Sequence, residues 1–156
     1  GFSLARALGS RPFLLPDDKR GLYHAAASFA CNYFVTLEHH AEHMFVKAGL
    51  PKDEPLSLFL PLVRATLENI ASQGTVRALT GPLSRGDLET IAGHLGALAA
   101  DAPHLLPTYR ALGSATLDLV RARGEVTPET IADLARLLAD PDTPPARATS
   151  PGNPGA

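Results

Sequence analysis

The chain has 156 residues, a length that fits one domain with a sizeable hydrophobic core. Fourteen Lys and Arg residues against sixteen Asp and Glu residues give a net charge of -2, which provides no basic surface for nucleic acid or an anionic membrane. No apolar run reaches the about 18 residues of a membrane span and no charged-then-apolar leader opens the sequence, so we expect neither a membrane protein nor a signal peptide.

The opening residues lack structural partners of their own. Leu4 to Leu8 followed by Gly9 is typical of a helix end with a glycine stop, and Arg11 to Leu15 (RPFLL) predicts a short strand. A lone strand cannot satisfy its backbone hydrogen bonds. We therefore expect residues 1–15 to be the remnant of a preceding domain.

The most prominent feature is Leu22 to Ala48, which predicts one helix about 40 Å long. Its first half is apolar nearly all round, so we expect it to be buried on every side. It becomes amphipathic after Leu37, and Gly49 provides a stop. The single cysteine, Cys31, lies in the apolar half as a small hydrophobe, and the absence of a disulfide framework favours a reducing cytoplasm.

Three polar residues interrupt this apolar helix. His24, Ser28 and Asn32 recur at i, i+4 and i+8, so they form one polar strip along the helix. Buried polar groups need partners. Another helix, a second subunit or a ligand can supply them. His24 alone would more often be a core histidine held by one backbone partner than a catalyst.

A second helical region spans residues 53–73, where Pro61 allows either a kink or a new helix start. Its apolar side is predicted to face the core, and it ends at Gly74, with one more turn possible over Thr75 to Leu79. The apolar set is Val63, Leu67, Ile70 and Ala71. A second uncharged polar strip consists of Thr66, Asn69 and Gln73.

Three further helices follow. Ser84 and Asp87 have capping-box spacing before a helix that runs to about Ala100. Thr127 caps the last helix. The predicted core positions are Leu88, Ile91, Leu95 and Leu98; then Leu105, Tyr109, Leu112, Thr116 and Leu119; then Ile131, Leu134 and Leu138. We predict an all-α bundle of about six helices around the long one over residues 16–140, with a disordered tail at 141–156.

Two conspicuous patterns have simpler explanations. His39 and His43 share a helix face, as in two-histidine zinc sites, but a solvated face is the better interpretation because no HExxH or CxxC pattern supplies a third ligand. The Arg85-Gly86-Asp87 triplet could be an adhesion motif, yet capping at a helix start explains Asp87 better.

The polar strips suggest a ligand site without catalytic machinery of its own. His24, Ser28 and Asn32, together with Thr66, Asn69 and Thr80, offer uncharged groups that could converge on a carbonyl or hydroxyl substrate. No nucleophile with an adjacent base and no glycine-rich phosphate loop is evident.

Three blocks in order resemble a known family. They are YHAAASFACNYFVTL, PLVRATLENIASQG and ALTGPLSRGDLETIAGHLGAL. From about Gly9 to Arg121 the chain resembles domain of unknown function 2520, the C-terminal domain that follows a Rossmann-like domain in bacterial oxidoreductases. This group is related to 6-phosphogluconate dehydrogenase, pyrroline-5-carboxylate reductase and ketopantoate reductase. The resemblance implies a 6-phosphogluconate dehydrogenase C-terminal-like fold, in which the helical half forms a homodimer and covers the substrate crevice.

The resemblance also implies roles for individual residues. The family block YHAAxxFASN falls on Tyr23 to Asn32, with Cys31 where serine is usual. The TLEN block falls on Thr66 to Asn69, and the TGPxxRGD block on Thr80 to Asp87. From the polar strips together with these blocks, we predict His24 as the catalytic residue, which donates to or exchanges a proton with the substrate. The predicted substrate-binding residues are Ser28, Asn32, Thr66, Asn69, Thr80 and Arg85.

The resemblance assigns NAD(P) to an N-terminal Rossmann domain. No G-x-G-x-x-G precedes a helix in this sequence, so we expect neither cofactor binding nor hydride transfer by this chain alone. The first hypothesis is thus the dimerisation and substrate-binding domain of a cytoplasmic NAD(P)-dependent oxidoreductase. The alternatives are a non-catalytic association module and a metal-binding bundle through His39 and His43.

Overall fold

The computed structural model of the chain describes residues 13–53 and 55–139, together with Arg6 and Gly9. Its helices are Arg20–Ala27 (α1), a π turn at Ser28–Asn32, Tyr33–Lys47 (α2), Pro55–Ala78 (α3), Pro82–Arg85 (α4), Leu88–Asp101 (α5), Leu106–Arg123 (α6) and Pro128–Ala139 (α7). Single 3-10 turns at Asp17–Lys19 and Pro103–Leu105 precede α1 and α6. Because α1, the π turn and α2 are continuous, the described residues form six helices and no strand. The predicted all-α architecture is confirmed.

The chain divides into two compact units whose boundary lies between His43 and Met44, within α2. The first unit contains α1, the π turn and most of α2, and none of its described residues is buried. The second unit contains the remaining helices and the hydrophobic core.

The long helix predicted over Leu22 to Ala48 is confirmed, since the helical run extends from Arg20 to Lys47. It ends at Gly49, whose φ of 109° suits a residue without a side chain. The predicted burial of its apolar half is wrong for this chain. Phe29 is 73% exposed, because no second helix among the described residues of the first unit covers it.

The second predicted helix is present as α3. Gly74 has φ 77° and ψ 168°, so the helical path breaks where the glycine predicted an end, and one further turn follows. Pro61 lies inside the helix. The predicted core face is wrong, because Leu67 and Ile70 are exposed. Phe59 is buried instead, and its ring centroid lies 4.8 Å from that of Phe45.

The core of the second unit lies where α5, α6 and α7 meet. Seven buried side chains form it, and Leu134 is fully inaccessible to solvent. They are Ile91, Leu95, Leu117, Val120, Ile131, Leu134 and Leu138. A smaller cluster of Leu98, Ala102 and Leu105 packs against Met44 and Tyr109. The predicted core positions of α5 and α7 are therefore confirmed, apart from Leu88, which is only partly buried.

The predicted core face of α6 requires a correction. The sequence placed Leu112 in the core, but that residue is exposed, whereas Gly113, Leu117 and Val120 are buried. Apolar residues occur on both sides of this helix, so the periodicity does not choose between them. The buried side is the one that contains Gly113, because Leu138 of α7 packs directly against this glycine.

Side-chain hydrogen bonds hold both ends of α7. The Thr127 hydroxyl accepts a hydrogen bond from the Thr130 N–H at 3.3 Å, as the predicted N-cap requires. At the other end the Arg110 guanidinium donates to the backbone carbonyl oxygens of Leu137 and Leu138 at 2.9 and 3.0 Å. These carbonyls have no acceptor role within the helix, and a positive charge beside them is favourable. Arg110 therefore ties α6 to the end of α7.

Replacing Gly113 with valine is expected to destabilise the chain by about 1–3 kcal/mol, the usual cost of overpacking a core. A Cβ at Gly113 would lie 2.8 Å from Cδ2 of Leu138, a side chain that is only 1% exposed and has no free space to move into. Gly93→Val is the matched control, because nothing lies within 4 Å of a Cβ at that helical position. Urea unfolding of both variants measures the difference, and equal midpoints would contradict this packing.

The chain's two ends fall mostly outside the described residues. Of the predicted helix end, only Arg6, which is helical, and Gly9, with φ 76°, are described. The predicted strand is not formed over Phe13 to Leu15, where no described strand offers its backbone a partner. The disordered tail predicted at 141–156 lies outside the described residues.

Candidate substrate site

The polar strip of the first unit consists of His24, Ser28 and Asn32 on the long helix. His24 and Asn32 are exposed and Ser28 is partly exposed. The His24 ring lies beside that of Tyr23, with 6.0 Å between centroids. The structure thus presents all three groups on the surface of the unit, where a ligand or a second protein surface can contact them.

A π turn lies within this strip. The Tyr33 N–H bonds to the carbonyl of Ser28, five residues back instead of four. Four residues of an α-helix rotate slightly more than one full turn, whereas four residues of a π turn, with about 4.4 residues per turn, rotate slightly less. The two deviations offset each other, so Asn32 lies closer to the face of His24 than a regular α-helix would place it. π turns inside α-helices are frequent at functional sites.

Hydroxyl groups on the helix satisfy its own backbone around the π turn. The Ser28 hydroxyl donates to the His24 carbonyl at 3.1 Å, and the Thr36 hydroxyl donates to the Asn32 carbonyl at 3.2 Å. The Ser28 oxygen therefore remains an acceptor for a ligand while its proton is engaged. The Asn32 amide and the His24 imidazole are the strip's groups able to donate.

Apolar side chains surround the polar strip. Leu22, Phe29, Tyr33 and Leu37 recur at intervals of seven, four and four residues, and we call them the apolar strip. All four are exposed. Phe29 and Tyr33 pack edge to face, with 5.0 Å between ring centroids. Cys31, predicted to be buried, is exposed as well. Exposed apolar residues grouped in this way make the strip a candidate interaction surface.

The second unit carries the other predicted substrate-binding residues. Thr66 and Asn69 are exposed on α3. The Thr66 hydroxyl donates to the Leu62 carbonyl at 3.0 Å, so, like Ser28, it has only acceptor capacity left for a ligand. The Asn69 carbonyl accepts from the Ser72 hydroxyl at 3.2 Å, and the Asn69 side chain stays available. These residues belong to one face of α3.

Two glycines between α3 and α5 have positive φ angles, which favour a residue without a side chain. Gly81, with φ 91°, precedes α4, and Gly86, with φ 72°, ends it. A Cβ at Gly86 would lie 2.8 Å from Cγ2 of Thr130, so this glycine also allows α7 to approach closely. Ser84 is buried and its hydroxyl donates to the Gly81 carbonyl at 2.8 Å, a role different from the predicted cap.

Asp87 itself caps α5. Its carboxylate accepts hydrogen bonds from the N–H and the hydroxyl of Thr90, at 3.0 and 2.7 Å. These two hydrogen bonds, with a smaller contribution from the charge of Arg85, hold the pKa of Asp87 below its usual value. The predicted capping role of Asp87 is confirmed, and Thr80 and Arg85 remain exposed beside it.

Comparison with known proteins places these blocks in one family. The profile of a domain of unknown function (DUF2520) matches residues 1–116, about three quarters of the chain. The chain belongs to this family. Comparisons with curated proteins and with solved structures found no significant match.

In this DUF2520 chain the matched region contains every predicted site residue. The structure brings His24, Ser28 and Asn32 together on one strip of the first unit. Thr66 and Asn69 lie on one face of α3 in the second unit, Thr80 precedes α4, and Arg85 is the last residue of α4. Their convergence into a single pocket stays a prediction. The sequence pattern missed the π turn, for which it contains no local signal.

The histidines of α2 lie close together without completing a metal site. The rings of His39 and His43 are 4.3 Å apart between centroids. Among the described residues, no group of three or more His, Cys, Asp or Glu side chains could hold a metal ion. The neighbouring Glu38 is partly buried, and this burial raises its pKa. Within the described part of this DUF2520 chain, no helix is both long and apolar enough to cross a membrane.

Proposed function

We propose that the chain is the dimerisation and substrate-binding domain of a cytoplasmic NAD(P)-dependent oxidoreductase. The observation that carries the proposal is the long helix of the first unit, which exposes the apolar strip and the polar strip of His24, Ser28 and Asn32 together. Without a partner this apolar surface would stay in contact with water, which is unfavourable.

The apolar strip fits the requirements of a dimer interface. A typical stable interface buries roughly 800 Å² on each partner, and a large aromatic side chain alone contributes about 150–250 Å². Leu22 and Phe29 are 72% and 73% exposed, and Tyr33 and Leu37 lie on the same strip. A second copy of the chain brings an identical apolar strip, and a two-fold axis allows the two to cover each other.

The polar strip fits a substrate that carries a carbonyl or imine group. The His24 imidazole can donate to, or exchange a proton with, the substrate oxygen or nitrogen as hydride arrives. Asn32, on the same strip, supplies a further hydrogen-bonding group to hold the substrate. The hydride comes from NAD(P), whose binding we assign to a Rossmann-like domain on the strength of the family resemblance.

Sedimentation of the chain tests the proposal directly. We expect a mass of twice 16.4 kDa at micromolar concentration, because a partner copy would remove the apolar strip from water. A monomer at these concentrations would contradict the proposal, since the exposed surface would then have no occupant of the proposed kind. A dimer that is also active with NAD(P)H when joined to its nucleotide-binding domain would support both parts.

A non-catalytic association module is the second candidate, because the same exposed strip also supports it. The polar strip would then supply hydrogen bonds between subunits. The two functions differ in what His24 does, since an associating helix uses the imidazole only for hydrogen bonds between subunits, whereas the oxidoreductase uses it on the substrate. The His24 variants described in the Discussion separate them.

A further inference from the structure

The second unit contains a cavity of about 470 Å³ between the C-terminal ends of α3 and α6. Two arginines and a glutamine dominate its polar lining. The lining residues are Gln73, Val76, Arg77, Ala122, Arg123 and Glu125. A cavity of this volume is large enough for a small molecule.

Arg123 is held in place on one side of the cavity. One of its guanidinium nitrogens donates to the Leu79 carbonyl oxygen at 2.5 Å, and its Nε lies 2.7 Å from a carboxylate oxygen of Glu125. Its side chain is only about a quarter exposed. A guanidinium anchored at two points loses little further freedom when it binds a ligand.

Arg77 differs from Arg123 in having no described acidic partner. No Asp or Glu in the described part of the chain lies within ion-pair distance of it, and its side chain is exposed at the cavity. Arg123 already has a structural role, because it donates to a backbone carbonyl oxygen at the end of α3. No hydrogen bond of this kind among the described residues accounts for the position of Arg77. The lining thus carries two positive charges and the single negative charge of Glu125.

We propose that this cavity binds an oxyanion, the carboxylate or phosphate group of a small molecule. Guanidinium groups match the geometry of such anions and bind them with two parallel hydrogen bonds. The side-chain amide of Gln73, which also lines the cavity, adds a further donor. The inference concerns the second unit alone and does not rest on the proposed function.

Titration of the chain with sodium phosphate and, separately, with sodium succinate tests this inference at constant ionic strength. Calorimetry measures affinity, and the side-chain amide NMR signal of Gln73 reports the location. We expect saturable binding of at least one anion, and the tighter one identifies the ligand as a phosphate or a carboxylate. Arg77→Gln is expected to weaken binding about tenfold or more, as loss of hydrogen bonds to a charged group does.

Two variants sharpen the test. Arg64→Gln removes the same charge from an exposed position on the same helix but away from the cavity lining, so affinity should be unchanged. Glu125→Gln removes the negative charge of the lining and should tighten binding about threefold or more. Absence of saturable binding of either anion would overturn the inference. Equal losses in Arg77→Gln and Arg64→Gln would overturn it too, because only general charge would then matter.

Discussion

Replacing His24 with alanine is expected to lower kcat by about 10²–10⁴-fold in the NAD(P)-dependent enzyme to which we assign this domain. Removal of a group that donates or exchanges a proton only as hydride arrives acts on the transition state. We therefore expect KM to change much less than kcat.

The fold itself should tolerate this change. His24 is exposed on α1, and its side chain supports no buried cluster among the described residues. His24→Gln distinguishes two versions of the role, because glutamine can donate a hydrogen bond but cannot exchange a proton at neutral pH. Recovery of most of the activity in His24→Gln would indicate a hydrogen-bond donor, and no recovery would indicate proton exchange.

His104→Gln is the matched control for the His24 variants. His104 lies in the 3-10 turn before α6, is exposed, and lies outside the predicted site. Its replacement should leave kcat and KM unchanged. Unchanged kcat in His24→Ala would contradict the catalytic role and favour the association module, provided that the dimer persists in sedimentation.

The helices of the second unit could be predicted because local signals and packing agree there. Thr127 caps a helix whose apolar residues Ile131, Leu134 and Leu138 all lie on one face, and that face forms the core. In α6 the signal was ambiguous. Leu112 and Leu117 lie on different faces, and only the contact of Gly113 with Leu138 decides which face is buried.

The candidate site was harder to predict because its geometry depends on contacts that sequence spacing does not encode. The spacing of His24, Ser28 and Asn32 was sufficient to place them on one strip, but the π turn that aligns them has no sequence signature. The hydrogen bond from the Ser28 hydroxyl to the His24 carbonyl, which leaves Ser28 only as an acceptor for a ligand, is likewise not encoded in the spacing. Arg77 was missed because a lone arginine at a helix end is usually a solvated charge.

The exposed long helix shows a different limit of sequence interpretation. An apolar helix predicts burial, and the periodicity correctly identified the apolar residues. It cannot say whether the covering surface belongs to the same chain. In this chain the residues of the apolar strip, including Leu22 and Phe29, remain exposed, and this exposure is the reason why we propose that the strip associates with a second copy.

Replacing Phe29 with aspartate is expected to raise the dissociation constant of the proposed dimer at least about 100-fold, since a carboxylate in an apolar interface must lose its hydration without a partner. Both copies of a two-fold dimer carry the substitution, which doubles the penalty. Sedimentation over a concentration series measures the shift from dimer to monomer.

The same variant should leave the monomer's fold intact, because Phe29 is 73% exposed and contributes only its contact with Tyr33. Far-UV circular dichroism should therefore show unchanged helicity. Leu112→Asp is the matched control, as Leu112 is an exposed apolar residue on α6 outside the apolar strip. A dimer that survives Phe29→Asp and dissociates with Leu112→Asp would place the interface on α6. Dissociation by Phe29→Asp alone, with helicity retained, would assign the apolar strip as the surface through which two copies of this chain associate.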